Sequence, residues 1–593
     1  MCGICGEFRF EQGRPDLAAV GRMTEALKRR GPDHEGIWVD GPVAFGQRRL
    51  AVIDLSSAAN QPMVDPELAL SLVFNGTLYN YPELRQELIS VGYHFFSHGD
   101  TEVLLKAYHR WGEACVGRFH GVFAFAIWDI VNQKLFLARD RLGIKPLYWT
   151  AGKEYLRFAS STQALLVAGH VDTKIDPVSL HFLFTLHAVV PAPRTLLTGV
   201  RKVPPAHTLT TDASGNTSER CYWTLHSVTV VLSEQEWAEK IYNSLLQAVR
   251  KRLTIADVPV GVLLSGGLDS SLLVALLSEA GVQPVRTFSI GFEGTPEESG
   301  SEFEYSDLVV KRFQTRHQRI LLSNREVLPR LPETMAQMSE PMFAQDAVAF
   351  YLLAEKVSRE VKVVQSGQGA DEVFGGYFWY PRMASEEGAF VERFRKHYFD
   401  RDHIEYLEMI SPDFHSPDWT SEYIAGRLEE PGAYAFMDQV FRLDATTLIV
   451  DDPVKRVDNM TMAWGLEARV PFLDHTLVEL AASMPTALKI GSGGKHILKN
   501  IARGRLPETV IDRPKGYFPV PALKYVRGEF FEFVHDLLCS RVCRERGLYS
   551  RKYVDYLLAA REPQLTRIQG NKLWHLAALE LWLQVNLDQA VSS

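Results

Sequence analysis

The most constraining stretch in the chain is GVLLSGGLDSSLLVALLSEAG (261–281). A short apolar run of buried-strand type ends in Ser265-Gly266-Gly267. Asp269-Ser270-Ser271 follow, and then an apolar helix begins. Glycines let a backbone approach a phosphate closely, and a helix N-terminus offers unpaired N–H groups with a positive dipole end. The two hydroxyls add donors. An aspartate among anion ligands is out of place unless a divalent cation bridges it to the phosphates. The bland alternative is a glycine turn between strand and helix. A lone Ser-Gly-Gly leaves that reading open, but the whole seven-residue pattern between strand and helix displaces it. No Gly-Lys-Ser/Thr follows, so this is not a P-loop.

A second loop of the same kind lies in VVQSGQGADEVFGGY (363–377), where a strand again runs into Ser-Gly and then into Asp371 and Glu372. The strands VPVGVLLSGG and VRTFSIGF, each leading through Gly to a helix, predict a parallel α/β sheet. The first 210 residues read differently. Short apolar strands dominate, with helices at PELRQELISVGY and at DTEVLLKAYHRWG, where Asp100 or Thr101 is the cap candidate. GVFAFAIWDIVNQKLFLARDR predicts a hairpin around Asn132-Gln133, and VPPAHTLTTDASGNTSERCYWTL predicts another. The composition changes between residues 211 and 232. At 593 residues the chain exceeds one ordinary core, which makes two or three domains the expectation.

Hydrophobic content of 46% and charged content of 23% describe a globular protein. The net charge of -8 argues against a broad nucleic-acid footprint. No stretch approaches about 18 uninterrupted apolar residues, so no membrane span is expected. No signal-peptide pattern is present, and six scattered cysteines match a reducing cytoplasm. Cys2 and Cys5 invite a zinc reading, but no second Cys or His pair stands at zinc spacing. Cys539 and Cys543, four apart, predict two half-buried thiols on one helix. His34, His207 and His475 read as structural.

The two loops resemble the pyrophosphate-binding elements of ATP pyrophosphatases. At the N-terminus, MCGICG, RRGPDHEG, QRRLAVID, FNGTLYN, HGDTE and RDRLGIKPLYW follow in order. This series resembles a class II glutamine amidotransferase domain. Together with EARVPFLDH and GGKHILK, the chain from Cys2 to about residue 525 resembles the glutamine-hydrolysing asparagine synthetase family. The resemblance implies an N-terminal-nucleophile αββα sandwich over residues 2–215. An α/β ATP-pyrophosphatase domain with many helices would follow over 233–593. It implies glutamine, ATP and a small carboxylate acceptor as substrates, Mg2+ as cofactor, no nucleic-acid or membrane partner, and a homodimer as one option.

The chemistry fits the residues. Met is removable before a small residue, which leaves Cys2 with a free α-amine beside its thiol to accept the proton. By resemblance, Asn75 and Gly76 form the oxyanion hole, and Arg49 pairs with the glutamine α-carboxylate as a planar bidentate donor. Asp100 takes the α-amine, and Leu50, Ala51, Val52, Ile53 and Thr77 line the pocket. Leu263, Ile290, Ser366 and Gly367 join 265–271 around ATP, with Asp269 and Asp371 at magnesium. Lys495 lies near the reacting acyl phosphate, against the plainer reading of a solvated lysine at a helix start.

Two departures from the family matter. Thr77 replaces a usual Glu, leaving more of the α-amine to Asp100. Gln368 replaces a usual carboxylate and cannot take a proton from attacking ammonia, which puts strict aspartate amidation in question. Glu340 and Glu372 are the substitute bases. Ser161 and Ser339 are smaller changes. With KGYFPVPALKYVRG and GNKLWHLAALELWLQ, these changes resemble a bacterial branch that amidates N-acetylglutaminylglutamine. A β-lactam-synthetase-like closure and a non-catalytic glutamine or nucleotide sensor are the remaining alternatives.

Overall fold

The computed structural model describes residues 2–228, 230–295, 298–433, 435–513 and 520–588. The KGYFP part of the motif beginning at Lys515 lies outside them. Twelve strands build the first half: β1 (Gly3–Arg9), β2 (His34–Asp40), β3 (Val43–Arg49), β4 (Met63–Asp65), β5 (Leu70–Leu78), β6 (Gly121–Asp129), β7 (Lys134–Arg139), β8 (Tyr148–Ala151), β9 (Tyr155–Ala159), β10 (Arg201–Lys202), β11 (His207–Thr211) and β12 (Thr217–Cys221). They form two antiparallel sheets, in the orders β10-β8-β9-β1-β3-β2 and β12-β11-β7-β6-β5-β4. Both expected hairpins form, β6 with β7 and β11 with β12.

Side chains alternate across each strand, and this fixes the layers. Ile4, Phe8, Val73, Ala124 and Trp128 fill the space between the sheets. Phe74, Phe125 and Ile127 face α2 (Tyr81–Ser90) and α3 (Asp100–Trp111). Cys5 and Ala44 face α1 (Leu17–Ala26) and α4 (Thr162–Ala168). The result is four layers, helix–sheet–sheet–helix. The N-cap of α3 is Gly99, so Asp100 is the first helical residue instead of the cap.

Between Cys221 and Glu234 the described residues carry no strand or helix. The second half holds β13 (Val260–Leu263), β14 (Arg286–Phe292), β15 (Arg316–Leu322), β16 (Val363–Gln365) and β17 (Glu467–Arg469). All four pairings are parallel, in the order β15-β14-β13-β16-β17. The helices Glu234–Thr254 and Leu268–Glu279 cover one face through Val262 and Leu264. Asp346–Val357 covers the other through Leu263 and Ile290. The order reverses between β13 and β16. In open parallel sheets a ligand crevice lies at the carboxyl ends of the strands at such a reversal, and both Ser-Gly loops begin there. Cys539 ends one helix and Cys543 sits on the next, with Ser540 capping between them, so the two thiols do not share a helix.

The halves are joined by buried charge. Lys202 pairs with Glu340 at 3.0 Å and Asp451 at 2.8 Å, and Arg30 pairs with Asp458 at 2.9 Å. Breaking one member of such a pair strands the other charge in the interior.

Candidate functional site

Two clusters hold the residues singled out in the sequence. In the first, β1 begins beside β5, and the Cys2 N–H donates to Asn75 Oδ1 at 3.1 Å. The Asn75 Nδ2 is buried with no hydrogen-bond partner among the described residues. A buried unmade donor costs free energy, which makes this amide a candidate donor to a bound group. Burial raises the Cys2 thiol, against lowering contributions that include the Leu50 backbone and Arg49. A Cβ on Gly76 would lie 2.2 Å from the Val122 carbonyl oxygen, so only glycine fits there.

Asp100 is buried, and its Oδ2 accepts from the Leu78 N–H at 3.0 Å. Burial pushes its carboxyl up to about 6. Arg49 is more committed than its sequence role suggested. Its Nη1 donates to the Ser56 carbonyl at 2.8 Å and to Asn60 Oδ1 at 2.7 Å. Its Nη2 donates to the carbonyls of Ile53 and Asp54. That leaves Nε as the N–H without a partner among the described residues, so the fork is not open for a bidentate contact. Leu50 and Val52 turn their side chains into an apolar cluster with Val260, Val363 and Met462 of the second half. Ala51 N–H is held by Asp33 at 2.8 Å. Cys5 points to the α1 layer, where its Sγ lies 3.4 Å from Thr24 Oγ1.

The second cluster lines a cavity of about 740 Å³ at the carboxyl ends of β13 and β16. Leu263, Ser265, Gly267, Asp269, Ser270, Ile290, Ser366, Gly367, Asp371 and Lys495 all lie on its wall. Gly266 and Ser271 lie behind it. Gly266 has φ +76°, and a Cβ there would meet Ser306 N at 2.6 Å. Ser265 Oγ accepts from Gly267 N–H at 3.3 Å and lies 3.1 Å from Ser270 Oγ, which shapes the loop. Among the described residues no side chain caps the helix Leu268–Glu279 at its Gly267 N-cap, and a helix N-terminus of this kind suits an anion.

Lys495 closes the far side. Its backbone takes φ 54° at the start of the helix His496–Ala502, which throws the side chain between the loops. Nζ lies 2.5 Å from Asp269 Oδ2 and 2.8 Å from Asp371 Oδ1. Burial works against the ammonium, and the two carboxylates override it, so Lys495 stays charged. A Cβ on Gly376 would stand 2.1 Å from Asp371 Oδ1 and 2.2 Å from Lys495 Cε. Two hard carboxylate oxygens converging on one cation position are a donor set that suits Mg2+.

Gln368 and Glu372 line the same cavity. Glu340 does not. It is buried in the Lys202–Asp451 cluster, away from the wall. Sequence reasoning quoted EARVPFLDH without giving a role to its Glu467, which reaches the first cluster from β17, and missed the cavity residues His187, Arg456 and Arg513. Their motifs are short, and the contacts they make arise only from the packing of distant segments.

A four-layer antiparallel sandwich joined to a parallel α/β unit with a cavity at its strand-order reversal is the architecture of a two-part amidotransferase–synthetase. The family model for the glutamine amidotransferase domain matches residues 1–223, and that for asparagine synthase matches 240–584. Asparagine synthetase (glutamine-hydrolysing) 1 of Bacillus subtilis is 30% identical, covering 99% of this chain and 97% of its own. Asparagine synthetase (glutamine-hydrolysing) 3 of the same organism is 30% identical over 99% of this chain and 100% of its own. A putative asparagine synthetase (glutamine-hydrolysing) of Mycobacterium tuberculosis is 32% identical over 98% and 95%. The chain belongs to the glutamine-hydrolysing asparagine synthetase family. It is a carbon–nitrogen ligase that uses glutamine and ATP to form an amide, with AMP and pyrophosphate as products. Among the described residues no helix is long and apolar enough to cross a membrane.

Proposed function

We propose that the two clusters divide the reaction, with a glutaminase unit over 2–215 and a synthetase unit over 233–593. The observation that carries the first assignment is the Asn75 amide, with one end on Cys2 N and the other buried and unpartnered. Cys2 Sγ attacks the glutamine side-chain amide carbon, and its proton passes to the α-amine of Cys2. Because burial holds the thiol up, that adjacent base is needed. Asn75 Nδ2 and the Gly76 N–H stabilise the oxyanion. The C–N bond breaks to leave a glutamyl thioester and ammonia. Asp100 holds the α-ammonium, and one N–H of Arg49 serves the α-carboxylate.

In the second unit an acceptor carboxylate oxygen attacks the α-phosphorus of ATP and pyrophosphate leaves. Ammonia then forms the C–N bond and AMP departs. Asp269 and Asp371 would hold Mg2+, which would supply positive charge to the phosphates when bound. Lys495 supplies a fixed cation to the same region. Aspartate is the acceptor suggested by the relatives' names. A second reading, a glutamine-ended acyl dipeptide, is favoured by Gln368, which brings an amide and no proton acceptor to the cavity wall. Cytoplasmic residence and a homodimer extend the proposal by similarity to the family. The test is Cys2→Ala, assayed with glutamine and with ammonium. Loss of both syntheses in a folded variant overturns the division.

A further inference from the structure

A polar cluster outside both sites lies where a helix of the first half, Pro177–Thr185, meets two helices of the second, His403–Met409 and Trp419–Glu429. It holds His181, His403 and Asp418, whose ligand-type atoms all lie within 4.8 Å of one another. None of the three lines the 740 Å³ cavity. His181 is fully buried, and the other two are half-buried. His181 Nε2 lies 3.1 Å from His403 Nδ1 and 3.8 Å from Asp418 Oδ1. Tyr406 packs edge-on against the His181 ring, with centroids 4.6 Å apart, and holds it in this orientation.

The hydroxyls around His181 assign its ring proton. A hydroxyl has one proton to give. Thr185 Oγ1 donates to the His181 carbonyl at 2.7 Å. It also lies 2.7 Å from Thr420 Oγ1, so Thr420 is the donor in that pair. His181 Nδ1, 2.8 Å from Thr420 Oγ1, must then be the N–H. Nε2 keeps its lone pair, and it is the nitrogen that lies beside His403 and Asp418. Burial holds the ring neutral, lowering it to about 4. A histidine that binds a metal has its other N–H anchored in this way. Asp418 Oδ1 accepts the Ser421 N–H at 3.1 Å, which pins the carboxylate and leaves it further lone pairs.

The charged groups that bear on the His181 ring are Asp418 and His403. Among the described residues no lysine or arginine pairs with Asp418, so no fixed cation competes for the position. The other His/Asp grouping, His187, Asp400 and His575, differs here, because Arg401 Nη1 stands 3.3 Å from His575 Nδ1 and takes its lone pair. Donor atoms around a tetrahedral zinc stand about 3.3 Å apart, given bonds of about 2.0–2.1 Å. The two separations from His181 Nε2 bracket that edge. Two imidazole nitrogens and one carboxylate suit a borderline divalent ion and not Mg2+, which prefers oxygen. We propose that His181 Nε2, His403 Nδ1 and Asp418 bind one divalent transition-metal ion of the zinc class, with solvent in the fourth position, and that this ion staples the first half to the second. Without the ion, His403 Nδ1–H donates to His181 Nε2. With it, the neutral His403 ring carries its proton on Nε2 instead.

The experiment strips the full chain with a chelator, restores saturating Mg2+, and titrates with Co2+ and then Zn2+. The wild type should bind one more equivalent of Co2+ than His403→Gln, and that equivalent should show the intense visible absorption of a four-coordinate ion. Zn2+ should displace it and raise the wild-type Tm. His403→Gln should weaken Zn2+ binding at this cluster at least about a hundredfold, since even a lost outer-shell partner costs about 10–100-fold. Its metal-free Tm and its glutamine hydrolysis should stay near wild type, because His403 is half-exposed and lies outside both sites. Asp418→Asn keeps a capping side chain and should also lose affinity. Equal metal content in wild type, His403→Gln and Asp418→Asn overturns the site. A Co2+ spectrum of six-coordinate type overturns the ligand set. Binding that leaves the wild-type Tm unchanged overturns the staple.

Discussion

Thr77 and Glu467, 390 positions apart, meet at 3.5 Å, the threonine hydroxyl donating to the carboxylate. Glu467 is 1% exposed and opens β17. Two residues on, Arg469 pairs back to Glu467 at 2.6 Å, and its carbonyl accepts the Ser366 N–H at 2.9 Å. Ser366 lies on the cavity wall. One three-residue strand thus runs from the Cys2 cluster to the nucleotide loop, about 7 Å at ~3.3 Å per residue. β16 repeats the arrangement, with Val363 packed on Leu50 and Val52 at one end and Ser366 just past the other.

This geometry makes Glu467 a coupling residue. Its carboxyl is held well below the usual range, because nearby positive charge, Arg469 included, overrides burial. Glu467→Gln should therefore leave Arg469 as an unpaired buried charge and lower stability by roughly 3–5 kcal/mol. In the surviving folded enzyme, more glutamine should be hydrolysed per AMP formed. The measurement is the glutamate-to-AMP ratio beside a Tm. A wild-type ratio with a wild-type Tm contradicts the assignment.

Cys2→Ala should abolish glutamine-dependent synthesis and leave ammonium-dependent synthesis within a few-fold of wild type, since the nucleophile serves one half-reaction. Mass spectrometry of active enzyme should show the initiator Met removed. Active enzyme with Met retained would deprive the thiol of the adjacent amine that the proposal needs.

Asp100 sets a pH limit on glutamine binding. Burial raises its carboxyl from 3.8 to about 6, so the charge needed for the α-ammonium disappears as pH falls through about 6. KM for glutamine should rise steeply on that limb, while KM for ammonium should not follow it. The stability sign is opposite. A carboxyl with a raised folded pKa favours folding at low pH, and that contribution is lost as pH climbs from about 4 through about 6. Asp100→Asn should thus stabilise the glutamine-free enzyme at pH 7–8 by the order of 1–3 kcal/mol, at 1.36 kcal/mol per unit. It should also weaken glutamine binding. A variant no more stable than wild type would show that ionised Asp100 costs the fold nothing.

Much of this was readable before folding, for a local reason. SGGLDSS and SGQGADE each pack strand end, turn and helix start into one short segment, so their chemistry is written in consecutive residues. The β6–β7 and β11–β12 hairpins were legible in the same way, because alternation and turn residues are local signals. Arg49 was half legible. Its cationic fork was noticed, but the four acceptors that occupy that fork come from a loop whose path the sequence does not announce. Cys539 and Cys543 were misread because Ser540 caps a new helix between them. Glu340 was expected near the cavity, yet Lys202 of the other half draws it into the interface. Glu467 stood in the quoted EARVPFLDH motif without a role, and His187 was not singled out, since each acquires its meaning from a partner on a distant segment.

Lys495 should prove inseparable from Asp269 and Asp371. It holds the two carboxylates together at 2.5 and 2.8 Å, so Lys495→Ala leaves like charges facing each other. Asp269→Asn or Asp371→Asn should cut AMP formation by at least about a hundredfold, because a hard anionic ligand to Mg2+ is lost. Raising Mg2+ should rescue part of that loss by mass action. Glutamine hydrolysis measured alone reports whether the first half remains folded. An Asn variant with normal AMP production would remove the metal role from that position.

The acceptor preference turns on Gln368. A carboxylate at this place could take the proton released as ammonia attacks, and positioned acid–base catalysis is worth roughly 10²–10⁴-fold. Gln368 lacks that capacity but can donate and accept hydrogen bonds. Of the two substitute bases, Glu372 shares the cavity wall and Glu340 does not. Glu372 accepts from the Tyr377 hydroxyl at 2.6 Å through Oε1, a bond that holds the carboxylate in place and lowers its readiness to take a proton. The wild type should therefore turn over aspartate slowly and a glutamine-ended acyl dipeptide faster. Gln368→Glu should narrow the gap by raising kcat with aspartate. The measurement is kcat/KM for both acceptors in one preparation, at saturating ATP and ammonium, so that glutamine hydrolysis cannot mask the outcome. Aspartate leading by tenfold or more, about 1.4 kcal/mol of transition-state preference, would eliminate the dipeptide reading and leave aspartate as the acceptor.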